Sequence, residues 1–198
     1  MSDMQLSPAA RDQLLDMAYA AIVDTVLSRR AQGHQQPTDP ELNQRAGAFV
    51  TLMRHGDLRG CVGHVQADMP LWQVVQQMAV SAAEEDPRFY PLTQRELDEL
   101  EVEISVLSPL KDVKDAAEIE VGKHGLLITK GWGRGLLLPQ VATEYGWDRN
   151  AFLEAVCRKA GLPAGSWRHG ATLQSFTALV FGKHFGKPEP AREEKQTN

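Results

Sequence analysis

The 198-residue chain is 42% hydrophobic and 24% charged, enough apolar material for a genuine core in one domain or two small lobes. Its longest apolar runs, LLIT and GLLLP, fall far short of the roughly 20 residues of a membrane span, and no basic-then-apolar leader opens the sequence, so a cytoplasmic protein without membrane contact is expected. A net charge of −5 and a pI near 5.7 offer no overall positive field to a phosphate backbone, which disfavours nucleic acid as a partner.

Ser7 and Pro8 form a helix start, and Leu14, Leu15, Ala18, Ala21, Ile22, Thr25 and Val26 recur at spacings of three and four, predicting a helix that runs towards Gly33. Two prolines in HQQPTDPELN make residues 34–44 a surface loop. AFVTLMR and LRGCVGHV flank HGD, the pattern of a β-hairpin. Asp68 and Pro70 then open a second helix with Leu71, Val74, Val75, Met78, Ala79 and Ala82 on its inner stripe.

Further along, Thr93 and Glu96 make a capping box, and LEVEISVLSP alternates as a strand with one dry face. GLLIT and GLLLP, joined by KGWGRG, read as another hairpin, and a helix from Asp148 to Ala160 stops at Gly161. ATLQSFTALVFG supplies one last strand. Helical and hairpin segments thus alternate along the chain, and the polar, proline-containing tail over 186–198 is expected to be disordered.

LRGCVG at 58–63, EDPRF at 85–89, EVEISVLSP at 101–109, GKHGLLI at 122–128, GLLLPQVA at 135–142 and AFLEAVCRKAGL at 151–162 resemble, in this order and spacing, the AMMECR domain family, called in prokaryotes AmmeMemoRadiSam system protein A. The resemblance spans nearly the whole chain apart from the tail. It implies a single domain over residues 1–185 with an α+β fold, a β-sheet built from hairpins and flanked by helices, and a cleft between a larger and a smaller lobe. It also implies a genomic association with a Memo-like protein and a radical SAM protein as candidate partners, but no activity.

Strict strand alternation places Cys61 on one face with Arg59, where a guanidinium favours the thiolate; a bulge at Gly60 or Gly63 would change that. Glycines in a strand also mark a close approach of backbone or ligand. Arg88, between Pro87 and Phe89, is either half of a local surface pair with Asp86 or a clamp for an anion. Glu103 lies on the wet face of its strand, and His124 sits at a turn between glycines. Two cysteines are too few for a disulfide framework or a cysteine zinc cage, and the histidine spacings match no metal motif. GWGRG fits a hairpin turn better than a nucleotide loop, so neither a metal nor a cofactor is expected.

Two readings follow. In the first, the chain binds a small molecule, peptide or partner protein in a cleft around LRGCVG through Arg59, Gly60, Gly63, Arg88, Glu103 and His124. In the second, it is an enzyme using Cys61 as nucleophile or redox thiol on an anionic substrate, with His124 or Glu103 moving protons. No complete set of nucleophile, base and orienting group can be read from the chain, which favours binding.

Overall fold

A computed structural model of the chain describes residues 4–28 and 36–186. Ser7 caps the first helix, α1 (Pro8–Val26), by accepting the Ala10 N–H, and Pro8 takes the first turn where its missing N–H costs nothing. The helix closes at Leu27, well before Gly33, and residues 29–35 lie outside those described. The expected loop carries a four-residue helix, α2 (Pro40–Asn43), because Asp39 caps it and proline again suits the first turn.

β1 (Ala48–Arg54) and β2 (Asp57–His64) form the predicted hairpin. His55 and Gly56 both have positive φ, the geometry that matches hairpin twist. The next helix, α3 (Leu71–Glu84), begins as predicted, but Asp68 does not cap it. That carboxylate instead accepts from His64 at 2.7 Å. The Thr93–Glu96 capping box is present on a 3-10 helix, Gln94–Glu99, which leads into β3 (Leu100–Leu107).

A second group of strands follows: β4 (Lys111–Asp112), β5 (Gly125–Lys130) and β6 (Gly133–Leu137). Two helices come next, α4 (Pro139–Glu144), which periodicity did not predict, and α5 (Arg149–Lys159), which starts where expected and is capped by Asp148. The expected last strand divides into β7 (Thr172–Phe176) and β8 (Ala178–His184), which belong to different sheets. The physical reason is the single residue between them. Thr177 donates its N–H to Ser108 Oγ and accepts the Ser108 N–H, both at 2.9 Å, so its backbone is satisfied outside either ladder.

Both sheets are antiparallel, in the orders β2-β1-β3-β8 and β4-β7-β5-β6. One face of the first sheet, with Val50, Leu52, Val102 and Ile104, is fully buried against Leu14, Ala18 and Ile22 of α1 and Val74, Val75 and Ala79 of α3. The second sheet builds a separate core from Leu126, Ile128 and Leu173 with Phe152, Leu153, Val156 and Cys157 of α5. This α+β architecture leaves the first sheet's other face, with Thr51, Cys61 and Glu103, only half-buried.

Candidate functional site

The two glycines around Cys61 have different causes. A Cβ on Gly60 would lie 2.2 Å from the Ala82 carbonyl oxygen, so glycine lets α3 press its backbone onto β2. A Cβ on Gly63 would meet the Phe49 ring at 2.1 Å, so glycine there makes room for an aromatic side chain. Packing accounts for both positions.

A bulge interrupts the hairpin, although not at either glycine. Leu52 opposes Gly60 and Met53 opposes Leu58, leaving Arg59 as the extra residue. The bulge corrects the expectation that Arg59 accompanies the thiol. Its Nε donates to Glu96 Oε1 at 2.7 Å and its Nη2 to the Tyr90 carbonyl at 3.0 Å. Burial of Glu96 opposes its ionisation, yet the bond from Arg59 and two more from Thr93 prevail and hold this carboxyl at about 2.

The cation beside Cys61 is Arg88. β2 is an edge strand, and the outward N–H of Cys61 donates to Asp86 Oδ2 at 2.8 Å while Arg88 Nη2 reaches the Cys61 carbonyl at 3.4 Å. Arg88 also donates to Asp86 from Nε at 2.9 Å and Nη2 at 2.7 Å. The local pair is present, with Arg88 half-exposed but Asp86 only 4% exposed. Its carboxyl is held well below the usual carboxylate range, first by the Arg88 side chain, with the N–H groups of Cys61 and Arg88 adding to the effect. EDPRF and LRGCVG therefore form one unit, a side-chain pair that takes the place of a neighbouring strand. Phe89 lies between the two arginines, 5.8 Å from the Arg59 and 5.5 Å from the Arg88 guanidinium carbon.

Across the sheet, Cys61 opposes Thr51, and Thr51 opposes Glu103 on its other side. The row spans two strand spacings, about 10 Å from Cys61 to Glu103. Thr51 Oγ1 donates to Cys61 Sγ at 3.4 Å. Burial pushes the Glu103 carboxyl up, and the charges of Glu101 and Glu144, at the end of α4, push it further. His124 is not joined to this group by any hydrogen bond or ion pair. Its Nδ1 accepts the Glu120 N–H at 3.1 Å and closes its own turn. Among the described residues no group of three or more His, Cys, Asp and Glu side chains is arranged to hold a metal ion. No described helix is long and apolar enough to cross a membrane.

The family model AMMECR1 matches residues 15–181. The chain belongs to the AMMECR1 family. A protein of Methanothermobacter thermautotrophicus is 44% identical over 190 residues, covering 90% of this chain and 98% of that one. A protein of Thermococcus gammatolerans is 42% identical over 183 residues, covering 87% and 89% respectively. The crystal structure of the uncharacterized protein PH0010 from Pyrococcus horikoshii superposes with a TM-score of 0.82 at 37% identity, over 88% of this chain and 93% of that one. In this AMMECR1-family chain, sequence reasoning singled out Arg59, Cys61, Arg88 and Glu103 but gave no structural part to Thr51 and too small a one to Asp86. EDP at the end of a helix was the available signal for Asp86, since an acid directly before proline often holds a turn.

Proposed function

We propose that this AMMECR1-family chain is a binding component that takes a small molecule or peptide on the sheet face around Cys61, Thr51 and Glu103. It works in the cytoplasm beside Memo-like and radical SAM partners. The observation that carries this reading is the bracing of Cys61 by Asp86 and Arg88. It fixes the strand edge and holds the thiol in a preset position without supplying a base, for the one side-chain partner of Sγ among the described residues is Thr51. Ligand sites are commonly preformed in this way, whereas nucleophilic catalysis needs a base within hydrogen-bond reach.

The residues around the face also bear on the ligand's charge. Arg59 is turned onto Glu96, and two nitrogens of Arg88 onto Asp86. The face itself carries Glu103 with Glu101 and Glu144 close enough to act on it. A neutral or cationic ligand group suits it better than an anionic one. The enzyme reading keeps one supporting observation, the positive charge of Arg88 beside Cys61.

Thermal-shift screening of metabolites, amines and short peptides against the wild type, Cys61→Ser and Glu103→Gln tests the reading. A ligand that raises the melting temperature of the wild type and of Cys61→Ser, but less that of Glu103→Gln, supports binding. Turnover of a ligand that stops in Cys61→Ser would replace this reading with the enzymatic one.

A further inference from the structure

The hairpin tip between β5 and β6 holds the most exposed large hydrophobic side chain of the described residues. Trp132 is fully open to solvent, at 105% of the reference exposure. Only Gly131 has positive φ in this two-residue turn, which leaves Trp132 in an ordinary conformation and projecting from the tip. A tryptophan so placed buries nothing in the fold and adds nothing to the core.

The segment that carries it and the one packed against that segment hold basic but no acidic side chains. Segments 125–137 and 155–177 contain Lys130, Arg134, Arg158, Lys159 and Arg168, and no aspartate or glutamate, in a chain whose net charge is −5. The two segments pack together. A Cβ on Gly133 would meet Leu162 and the Ala160 carbonyl, one on Gly135 would meet Ala160, and Lys130 Nζ donates to the His169 carbonyl at 2.8 Å. Among the described residues, Arg168 alone of the five cations has a carboxylate partner, Glu154.

β6 is also an edge strand, bonded only to β5. In a hairpin with two loop residues the pair next to the turn, Lys130 and Gly133, exchanges backbone hydrogen bonds, so alternate residues Arg134 and Leu136 direct their N–H and C=O outwards. No backbone group of Gly133–Leu137 has a hydrogen bond to anything but β5 among the described residues. A charged residue on an edge serves to discourage aggregation, and Arg134 alone fits that role. It leaves Trp132 and the one-signed segments unexplained.

We propose that β6 and Trp132 receive an extended, acidic segment of a partner protein, which adds as a strand along Arg134 and Leu136. An apolar side chain of the segment packs on the indole while its carboxylates meet Arg134 and Lys159. The open strand edge selects a peptide backbone. A nucleic acid would need several stacking aromatics where there is one, and a lipid surface would leave the edge groups without partners.

The test uses the full chain, labelled with 15N, and a seven-residue peptide alternating glutamate with valine and phenylalanine. The same peptide with lysine for glutamate, an oligothymidylate and phosphatidylserine vesicles are the comparison arms. The acidic peptide is expected to shift the amides of Arg134 and Leu136 and the indole resonance of Trp132, and its affinity to fall as salt rises. Trp132→Ala should weaken it about tenfold without moving the melting temperature, as a truncated anchor does. Arg134→Glu should weaken it as well. Absence of shifts at these amides, equal binding of the lysine peptide, or tighter binding of the oligonucleotide or vesicles overturns the proposal.

Discussion

Removal of the Asp86 carboxylate, by Asp86→Ala, tests the brace on Cys61 directly. The Cys61 N–H would lose its acceptor at 2.8 Å, a bond to a buried anion worth about 1.5–3 kcal/mol. Arg88 would lose its partner too, but its side chain is 54% exposed, so the pair adds only about 0.2–1 kcal/mol. The expected loss is about 2–4 kcal/mol at pH 7, which in a chain of this length lowers the melting temperature by about 5–15 °C. Because the folded-state carboxyl lies below its unfolded value, the group's contribution is fully present above about pH 4 and is lost as pH falls further. Urea unfolding of wild type and variant at steps between pH 7 and pH 2.5 should therefore show a gap that narrows only below pH 4. A gap under about 0.5 kcal/mol at pH 7, or one that is constant over the range, would refute the reasoning.

The glycines should separate by what their new methyl group meets. Gly60→Ala forces the backbone of α3 away and should cost about 3 kcal/mol or more, whereas Gly63→Ala displaces a half-buried Phe49 ring and should cost about 1 kcal/mol, both read by urea unfolding. Glu103 has a raised folded-state value, so its ionisation works against the fold as pH rises through that value. Glu103→Gln should match the wild type at pH 4 and exceed it at pH 8 in thermal melts. Iodoacetamide labelling followed by peptide mass analysis should modify half-buried Cys61 in the native protein and fully buried Cys157 only on unfolding; simultaneous labelling of both would contradict the placement of Cys61 on an open face.

Periodicity revealed most of the fold because its signals are local. The α1 stripe, the two hairpins and the caps at Ser7, Thr93 and Asp148 each depend on residues within a turn or two of one another. Where a neighbour distant in sequence decided the outcome, the pattern misled. TLQSFTALVFG reads as one continuous strand, yet Ser108, far upstream, ends one strand at Thr177 and starts another. Asp68 has the right side chain for a helix cap but lies two residues before the N-cap, Pro70, where it is held by His64. At the site, Cys61 and the two arginines were visible as unusual residues, while their partnerships were not. The bulge at Arg59 has no sequence mark of its own, and it is Asp86, 25 residues on, that brings Arg88 to the cysteine.

The clasp between Ser108 and Thr177 has a consequence for how the chain folds. β3 and β8 are neighbours in the first sheet, with Leu107 opposite Ala178, yet about 70 residues separate them in sequence, and these include the whole second sheet. Closing a flexible loop of that length costs about 2.5 kcal/mol more in chain entropy than closing one of a few residues. If the inserted part has already folded, its two ends arrive side by side and act as a short turn. The route with the smallest entropic barrier therefore completes the second sheet before β8 docks, which makes the last strand of the first sheet a late arrival. A substitution that loosens the Phe152 and Leu126 core should then slow the pairing of β8 with β3, although it touches neither strand.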